Sequence, residues 1–245
     1  MDADVSSSPE ARRSDVKVRL AAALRLFAAL DFDEGAAGHL SVRDPISPHL
    51  FWINPHGVPF DLMTSSDLVL TDADGNVHAG RGAPSRAALT LHRAVYAARA
   101  DVDSAMHAHP VHTKAWSALA RRLDPINQEA CIFFGCHEVY DAYDGPFSDE
   151  HEAPKVARLL GERNIAVVLR NHGLLTVGRS VGAAAYRFMI FDRSVRVQML
   201  AESAGTPTMI APTVAASLAI EERHCHDGFE PMLTSLLARH PELAG

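Results

Sequence analysis

Residues 102–110 read VDSAMHAHP, a stretch in which polar and apolar residues alternate up to a proline. Such alternation is typical of a β-strand, and Pro110 is expected to end the strand because proline cannot donate to a strand ladder. On a strand, His107 and His109 point to the same face, about 7 Å apart at their bases. Two imidazoles placed in this way can converge on one cation. The stretch therefore predicts both a strand and two ligands of a metal site.

A third histidine, His172, lies in the short turn NHG (171–173) between the apolar runs IAVVL and LLTVG. A polar ring between two buried strands needs a bonding partner. Together with His107 and His109, it predicts a site of three imidazoles that leaves coordination positions open for water or substrate. Imidazole binds zinc, manganese and iron, so we expect one divalent metal ion per subunit, with zinc preferred and manganese or iron as alternatives.

The rest of the chain alternates between helical and strand patterns without a regular βαβ rhythm. This favours an α/β arrangement of a mostly antiparallel sheet with helices on its faces. Helical spacing begins after Ser14, a candidate N-cap, and a second long helix is expected from Val181 to Ala204. We predict a disordered N-terminal tail over residues 1–13 and a single domain over residues 14–245.

Composition excludes several classes of protein. The 245 residues are 47% hydrophobic and 22% charged, as in an ordinary globular protein. A formal net charge of -7 argues against nucleic-acid binding, which needs a basic face. No apolar run reaches the roughly 20 residues of a membrane span, and the N-terminus lacks the apolar segment of a secretory signal. Three cysteines outside any CxxC pair fit a reducing compartment, so we expect a cytoplasmic location.

Five short motifs follow one another along the chain: GHLSVR (38–43), NPHG (54–57), APS (83–85), HAHP (107–110) and NHG (171–173). In this order and at this spacing they resemble the class II aldolase and adducin head family, over about Val16 to Gly205. The resemblance implies a three-layer α/β/α sandwich with a mostly antiparallel central sheet. It also implies a homotetramer, an active site near the subunit interface, and metal held by His107, His109 and His172.

The chain departs from the sugar-phosphate aldolases of this family at the active site. Their catalytic acid/base glutamate is replaced here by Ala87, and the amide and hydroxyl groups of their phosphate pocket by His39, His56 and Arg86. Since basic groups of this size suit a carboxylate, we expect a small-molecule carboxylate as substrate. The predicted substrate-binding residues are His39, Asn54, His56, Gly57, Ser85 and Arg86.

The missing acid/base needs a substitute if a proton is to be transferred. Glu129 and His137 are candidates because they flank the apolar run ACIFF (130–134), which we expect to be a strand. The loop YDAYDGPFSDE (140–150) is expected at the surface, and the resemblance implies that a tyrosine of a neighbouring subunit assists protonation. His112 either supports the metal site or is an ordinary residue of the next helix.

A divalent ion held by three histidines can chelate a 2-oxo or 2-hydroxy acid and accept electron density when a C–C bond breaks. Loss of carbon dioxide needs no base. The sequence therefore predicts a metal-dependent C–C lyase, a decarboxylase that acts on a small 2-oxo or 2-hydroxy carboxylic acid, which can be aromatic. The alternatives are a non-haem Fe(II) oxygenase, an aldolase with a substitute acid/base, and a non-catalytic adducin-like assembly module.

Overall fold

A computed structural model of the chain describes residues 8–143, 145, 151–218 and 222–244. Within these residues one sheet contains eight strands: β1 His39–Arg43, β2 Phe51–Ile53, β3 Val69–Thr71, β4 Val77–Ala79, β5 Ser104–Ala108, β6 His137–Tyr140, β7 Ala166–Leu169 and β8 Gly173–Gly178. Their order across the sheet is β4-β3-β2-β1-β5-β8-β7-β6. All neighbouring pairs are antiparallel except β6 and β7, so the prediction of a mostly antiparallel sheet is confirmed.

Helices cover both faces of this sheet. The helices of the described residues are α1 Pro9–Ala29, α2 Arg86–Ala98, α3 Val111–Ser117, α4 Ala153–Leu160, α5 Val181–Ala204, α6 Pro212–Ser217 and α7 Glu222–Arg239. Apolar residues of α1, α5 and α7 form one core with the sheet, and those of α2 and α4 form a second core on its other face. The predicted three-layer α/β/α sandwich is therefore confirmed. No helix in this part of the chain is long and apolar enough to cross a membrane.

The two faces of the central strands carry different chemistry. Met106 and Ala108 of β5 belong to the core beneath α1 and α5, whereas Ala105 belongs to the core beneath α2. Because side chains alternate along a strand, His107 shares the α2 face with Ala105. His39 of β1 is its register partner on the neighbouring strand. The fold thus brings two histidines together under α2, near the end of β5.

The first helix begins earlier than predicted. Pro9 is its first residue, and Ser8 is the N-cap, whose Oγ accepts a hydrogen bond from the Ala11 N–H. Proline is favoured at the first helical position because its missing N–H is not needed there. The prediction of an N-cap at Ser14 and of a disordered tail that reaches residue 13 is therefore wrong. Residues 1–7 of that tail lie outside the described residues.

Two expectations around β6 also need correction. The run ACIFF is not a strand, because Ala130–Phe133 forms a 3₁₀ turn. Of the loop expected at the surface, Tyr140 is instead buried at the end of β6, where its hydroxyl donates to Glu152. Tyr143 is exposed, as expected. Residues 144 and 146–150 of the loop lie outside the described residues.

Candidate metal centre

Three histidines converge at one end of the central strands. His107 lies in β5, His109 follows the end of β5, and His172 lies in the turn between β7 and β8. Their candidate ligand nitrogens all lie within 4.8 Å of one another, and the ring centroids are 4.7 to 4.8 Å apart. Three imidazole donors from two neighbouring strand ends fit a divalent transition metal or zinc. The structure therefore brings together the three histidines that the sequence predicted.

Burial holds these imidazoles in the neutral form. Desolvation lowers the pKa of His172 to about 4, and the nearby His109 contributes in the same direction. Desolvation is also the largest cause that lowers the pKa of His107 and of His109. A neutral imidazole is the form that binds a metal ion. At neutral pH the three rings can bind a cation without first losing a proton.

Neighbouring groups orient the rings. His107 Nδ1 donates to the Leu174 carbonyl at 2.9 Å, so Nε2 is its acceptor nitrogen. That Nε2 is 2.9 Å from His109 Nε2, which donates to it. Glu34 Oε2 lies 3.6 Å from His109 Nδ1, close enough for an ion pair but too far for a hydrogen bond. If the proton of His109 moved to Nδ1, on the side of this carboxylate, Nε2 would be free to bind a metal ion. Sequence analysis did not find Glu34 beside this ring.

The turn before β8 is built to bring His172 close to β5. Asn171 adopts φ +56°, a left-handed conformation that asparagine tolerates better than most residues. A Cβ on Gly173 would lie 2.6 Å from the Ala108 carbonyl oxygen and 2.9 Å from His109 Cδ2. Glycine is therefore required where the start of β8 passes the end of β5. Asn171 and Gly173 of the NHG motif therefore each have a geometric reason, and together they place His172 beside β5.

The three histidines line a cavity of about 140 Å³, which we call the histidine cavity. A cavity of roughly 150 Å³ can accept a ligand the size of benzene, so this one can hold the reacting part of a small acid. Other lining residues are Gly38, His39, Ser85, Ala87 and Leu91. Among the described residues, none that lines this cavity carries a carboxylate. Ala87 therefore leaves this cavity without the acid/base of the sugar-phosphate aldolases.

Of the predicted substrate-binding residues, His39 and Ser85 line the histidine cavity. Ser85 is also the N-cap of α2, where its Oγ accepts from the Ala88 N–H at 3.1 Å. Arg86 is exposed and does not line the cavity, although Ser85 and Ala87 on either side of it do. Its predicted contact with substrate stays a prediction.

The structure places the NPHG motif differently from the prediction. Asn54 is buried, and its amide is used by the backbone: Oδ1 accepts from the Leu40 N–H at 2.9 Å and Nδ2 donates to the Gly38 carbonyl at 3.4 Å. These bonds hold the residues on either side of His39. His56 and Gly57 are exposed, and Asn54, His56 and Gly57 do not line the histidine cavity. In the structure Asn54 supports β1, and a contact of these three residues with substrate stays a prediction.

Neither predicted replacement for the acid/base reaches the histidine cavity. Glu129 is exposed at the start of the 3₁₀ turn. His137 is buried, but Nε2 accepts from the Leu123 N–H at 2.9 Å and Nδ1 donates to the Phe133 carbonyl at 2.6 Å. Both ring nitrogens of His137 serve backbone groups. Neither residue therefore supplies an acid/base to the cavity of its own chain, and a catalytic role for either stays a prediction.

His112 is not part of the cavity either. Its Nδ1 lies 3.2 Å from Asp192 Oδ2, and the other carboxylate oxygen of Asp192 accepts from the Thr113 N–H and hydroxyl. These contacts join α3 to α5. Of the two interpretations that the sequence left open, the structure favours an ordinary helix residue.

Sequence analysis also missed a set of buried polar groups behind His39. His39 Nδ1 is 2.8 Å from His92 Nε2, and Ser41 Oγ is 2.5 Å from His92 Nδ1. Ser41 Oγ is in turn 2.7 Å from the Tyr96 hydroxyl. The available signal was the spacing of four residues between His92 and Tyr96, which places both on one face of α2.

Comparison with known proteins agrees with this geometry. A family model for the class II aldolase and adducin N-terminal domain matches residues 18–199. Over 238 residues the chain is 38% identical to decarboxylase NovR from Streptomyces niveus, which covers 95% of this chain and 87% of that protein. A 4-hydroxy-3-prenylphenylpyruvate oxygenase/4-hydroxy-3-prenylbenzoate synthase from Streptomyces roseochromogenus subsp. oscitans is also 38% identical, over 95% of this chain and 85% of its own length.

Among solved structures, L-fuculose 1-phosphate aldolase from Glaciozyma antarctica PI12 matches with a TM-score of 0.89 and 32% sequence identity. The match covers 99% of this chain and 96% of that one. It extends the agreement from the sequence motifs to the complete arrangement of helices and strands. The chain therefore belongs to the class II aldolase and adducin N-terminal domain family.

Proposed function

We propose that this protein is a metal-dependent C–C lyase of the decarboxylase type that acts on a small carboxylic acid. One observation carries the proposal: the histidine cavity combines three neutral imidazoles with an alanine at the position of the family's acid/base. Aldol cleavage needs a group that moves a proton, whereas loss of carbon dioxide does not. The similarity to a protein named as a decarboxylase supports the same choice.

His107, His109 and His172 would hold the divalent ion, and the remaining lining would bind the acid. The ion supplies Lewis acidity, which polarises substrate oxygens and stabilises the negative charge that forms as the C–C bond breaks. Ala87 and Leu91 give the cavity an apolar wall, and Ser85 and His39 add polar groups. An apolar wall disfavours a carboxylate relative to neutral carbon dioxide, because a charge is costly to desolvate.

The chemistry also restricts the acid. When the bond to the carboxylate breaks, its electron pair must move onto a neighbouring acceptor group. A carbonyl placed β to the departing carboxylate accepts the pair directly, whereas a simple 2-oxo acid offers no such acceptor. The substrate panel should therefore contain aromatic and aliphatic acids of both types, together with 2-hydroxy acids and sugar phosphates.

The first test is metal content. Protein purified without added metal is expected to contain about one divalent ion per chain, measured by inductively coupled plasma mass spectrometry. His107→Ala, His109→Ala and His172→Ala should each lose it, because two imidazoles are too few for tight binding. His112→Ala is the matched control, since His112 bonds Asp192 outside the cavity. Full occupancy in His172→Ala would contradict the assignment.

The second test is turnover, with carbon dioxide release and oxygen consumption followed separately. We expect turnover of acids and not of sugar phosphates, with carbon dioxide released and no oxygen consumed. Cleavage of sugar phosphates would show that another residue supplies the proton and would refute the decarboxylase proposal. Metal without any turnover would favour the assembly module.

A second candidate is a non-haem Fe(II) oxygenase. The relative named as an oxygenase is as similar to this chain as the one named as a decarboxylase. Three histidines with open positions also suit Fe(II). Oxygen consumption in step with carbon dioxide release, by protein loaded with iron and not with zinc, would favour this candidate.

The proposal includes a homotetramer with the histidine cavity near a subunit boundary, on the basis of family membership. The exposed Arg86 beside two cavity residues fits a site that other groups complete. Light scattering at micromolar concentration is expected to give four times the mass of the chain. A stable monomer with full activity would contradict the shared site.

A further inference from the structure

A line of hydrogen-bonding groups runs from the histidine cavity into the core beneath α2. It joins His39, which lines the cavity, to His92, Ser41 and Tyr96 at successive separations of 2.8, 2.5 and 2.7 Å. All four residues are buried. We call this line the relay. The metal site does not use its inner three members, and buried polar groups are usually retained for a reason.

The hydrogen bond at the inner end of the relay determines its direction, that is, which atom donates and which accepts in each of its bonds. Burial raises the pKa of Tyr96, so the hydroxyl keeps its proton and must donate it. Ser41 Oγ at 2.7 Å is a better acceptor than the other acceptor near this hydroxyl among the described residues, the Asp103 carbonyl at 3.4 Å. Once Ser41 accepts from Tyr96, its own proton is directed to the remaining partner, His92 Nδ1.

The donor and acceptor nitrogens of the two imidazoles follow from this assignment. Burial lowers the pKa of His92 to about 3, so this ring is neutral and carries one donor and one acceptor. With Nδ1 accepting from Ser41, Nε2 must carry the proton and donate to His39 Nδ1. His39 Nδ1 is then an acceptor, and the proton of a neutral His39 lies on Nε2. That nitrogen is the one left for the cavity.

We propose that Tyr96, Ser41 and His92 fix the tautomer of His39, so that His39 Nε2–H is a permanent hydrogen-bond donor to an oxygen of the substrate in the histidine cavity. His39 is the substrate-binding group, and the other three are positioning residues. The identity of the acceptor as a carboxylic acid rests on the function proposed above. The direction of the relay does not, because it follows from contacts within the chain.

The direction can be tested without turnover. In zinc-loaded protein labelled with 15N-histidine, long-range 1H–15N correlation spectra distinguish a protonated ring nitrogen from an unprotonated one. We expect protonated Nε2 and unprotonated Nδ1 in both His39 and His92, with signals assigned from His39→Asn and His92→Gln. A proton on Nδ1 of either ring would overturn the proposal.

Two buried serines provide a matched pair of variants. Ser41→Ala interrupts the relay and should change the His92 and His39 signals. Ser104→Ala removes a buried hydroxyl that bonds the Ser41 carbonyl at 2.7 Å but lies outside the relay, so it should leave these signals unchanged. Equal changes in both variants would show a general effect of strand packing and would also overturn the proposal.

Binding of oxalate to zinc-loaded protein, measured by calorimetry, tests what the donor recognises. Loss of a hydrogen bond to a charged ligand should weaken oxalate binding roughly ten- to a hundredfold in His39→Phe, which has no donor, with zinc content retained. His92→Gln, which keeps a donor and an acceptor, should bind oxalate more tightly than His92→Phe. Unchanged affinity in His39→Phe would refute the role of His39. No oxalate binding by wild type would instead count against the proposed function, while the spectra still decide the direction of the relay.

Discussion

Substitution of Gly173 by alanine should separate the geometry of the metal centre from the stability of the fold. The new Cβ would lie 2.6 Å from the Ala108 carbonyl oxygen, whereas real Cβ contacts essentially never fall below 3.0 Å. The start of β8 or the end of β5 must therefore move by at least 0.4 Å. The Cβ would also lie 2.9 Å from His109 Cδ2, so the strain falls directly on a predicted ligand.

The expected magnitudes follow from these contacts. Overpacking of this kind costs about 1–3 kcal/mol. The loss of chain entropy in the unfolded state offsets roughly 0.4–1 kcal/mol when glycine becomes alanine. The net loss in the free energy of unfolding should be about 1–2 kcal/mol. Zinc affinity should fall roughly ten- to a hundredfold, as it does when groups that orient a ligand are disturbed.

Chemical denaturation and competition for zinc with a chromophoric chelator measure the two effects separately. Gly205→Ala is the control, since a Cβ there meets nothing within 4 Å. We expect the control to bind zinc like wild type. Zinc affinity within threefold of wild type in Gly173→Ala would refute the argument that this glycine sets the approach of His172 to His109.

Three further outcomes are expected. The pKa of His92 is about 3 in the folded protein and has its ordinary value of 6.5 in the unfolded chain. Between these pH values the unfolded state binds more protons, so the free energy of unfolding falls as the pH falls. At pH 5 this effect is about 2 kcal/mol, and His92→Gln should show a correspondingly weaker fall in urea midpoint between pH 7 and pH 5. Asn54→Ala should lower the free energy of unfolding by about 1–3 kcal/mol, because the buried Leu40 N–H loses its acceptor, while zinc content stays unchanged. Arg86→Ala should raise KM for the acid with little change in kcat, and a lower kcat at constant KM would contradict a binding role.

The three histidines of the candidate metal centre could be predicted from the sequence because their geometry is local. The alternation around His107 and His109 fixes a shared direction, and the Asn-His-Gly turn fixes the third ring. The family resemblance, now confirmed, added the layers of the fold. The Ser-Pro signal for the helix at Pro9 was equally local, although the sequence prediction placed the start later.

The relay and the role of Asn54 depend on contacts between elements that are distant in the chain. His39 and His92 are separated by 53 positions, and their contact requires α2 to pack on β1. His137 is of a residue type that often serves in catalysis, and it follows an apolar run. In the folded chain, however, both of its ring nitrogens bond backbone groups. A histidine's residue type and neighbours in sequence do not reveal whether its nitrogens face a cavity or the main chain.

The three predicted ligands differ in how firmly the chain holds them, and this has a consequence for the kinetics of metal exchange. His107 belongs to β5, which is hydrogen-bonded to β1 on one side and to β8 on the other, so its ring cannot withdraw unless two ladders open. His172 lies in a turn, where a small rearrangement requires neither ladder to open. An ion bound here should lose its bond to His172 first. It would then pass through a state in which only His107 and His109 hold it. Its exchange rate would then follow the motion of the Asn-His-Gly turn rather than the rate of global unfolding, and a chelator could remove the ion from a fully folded protein.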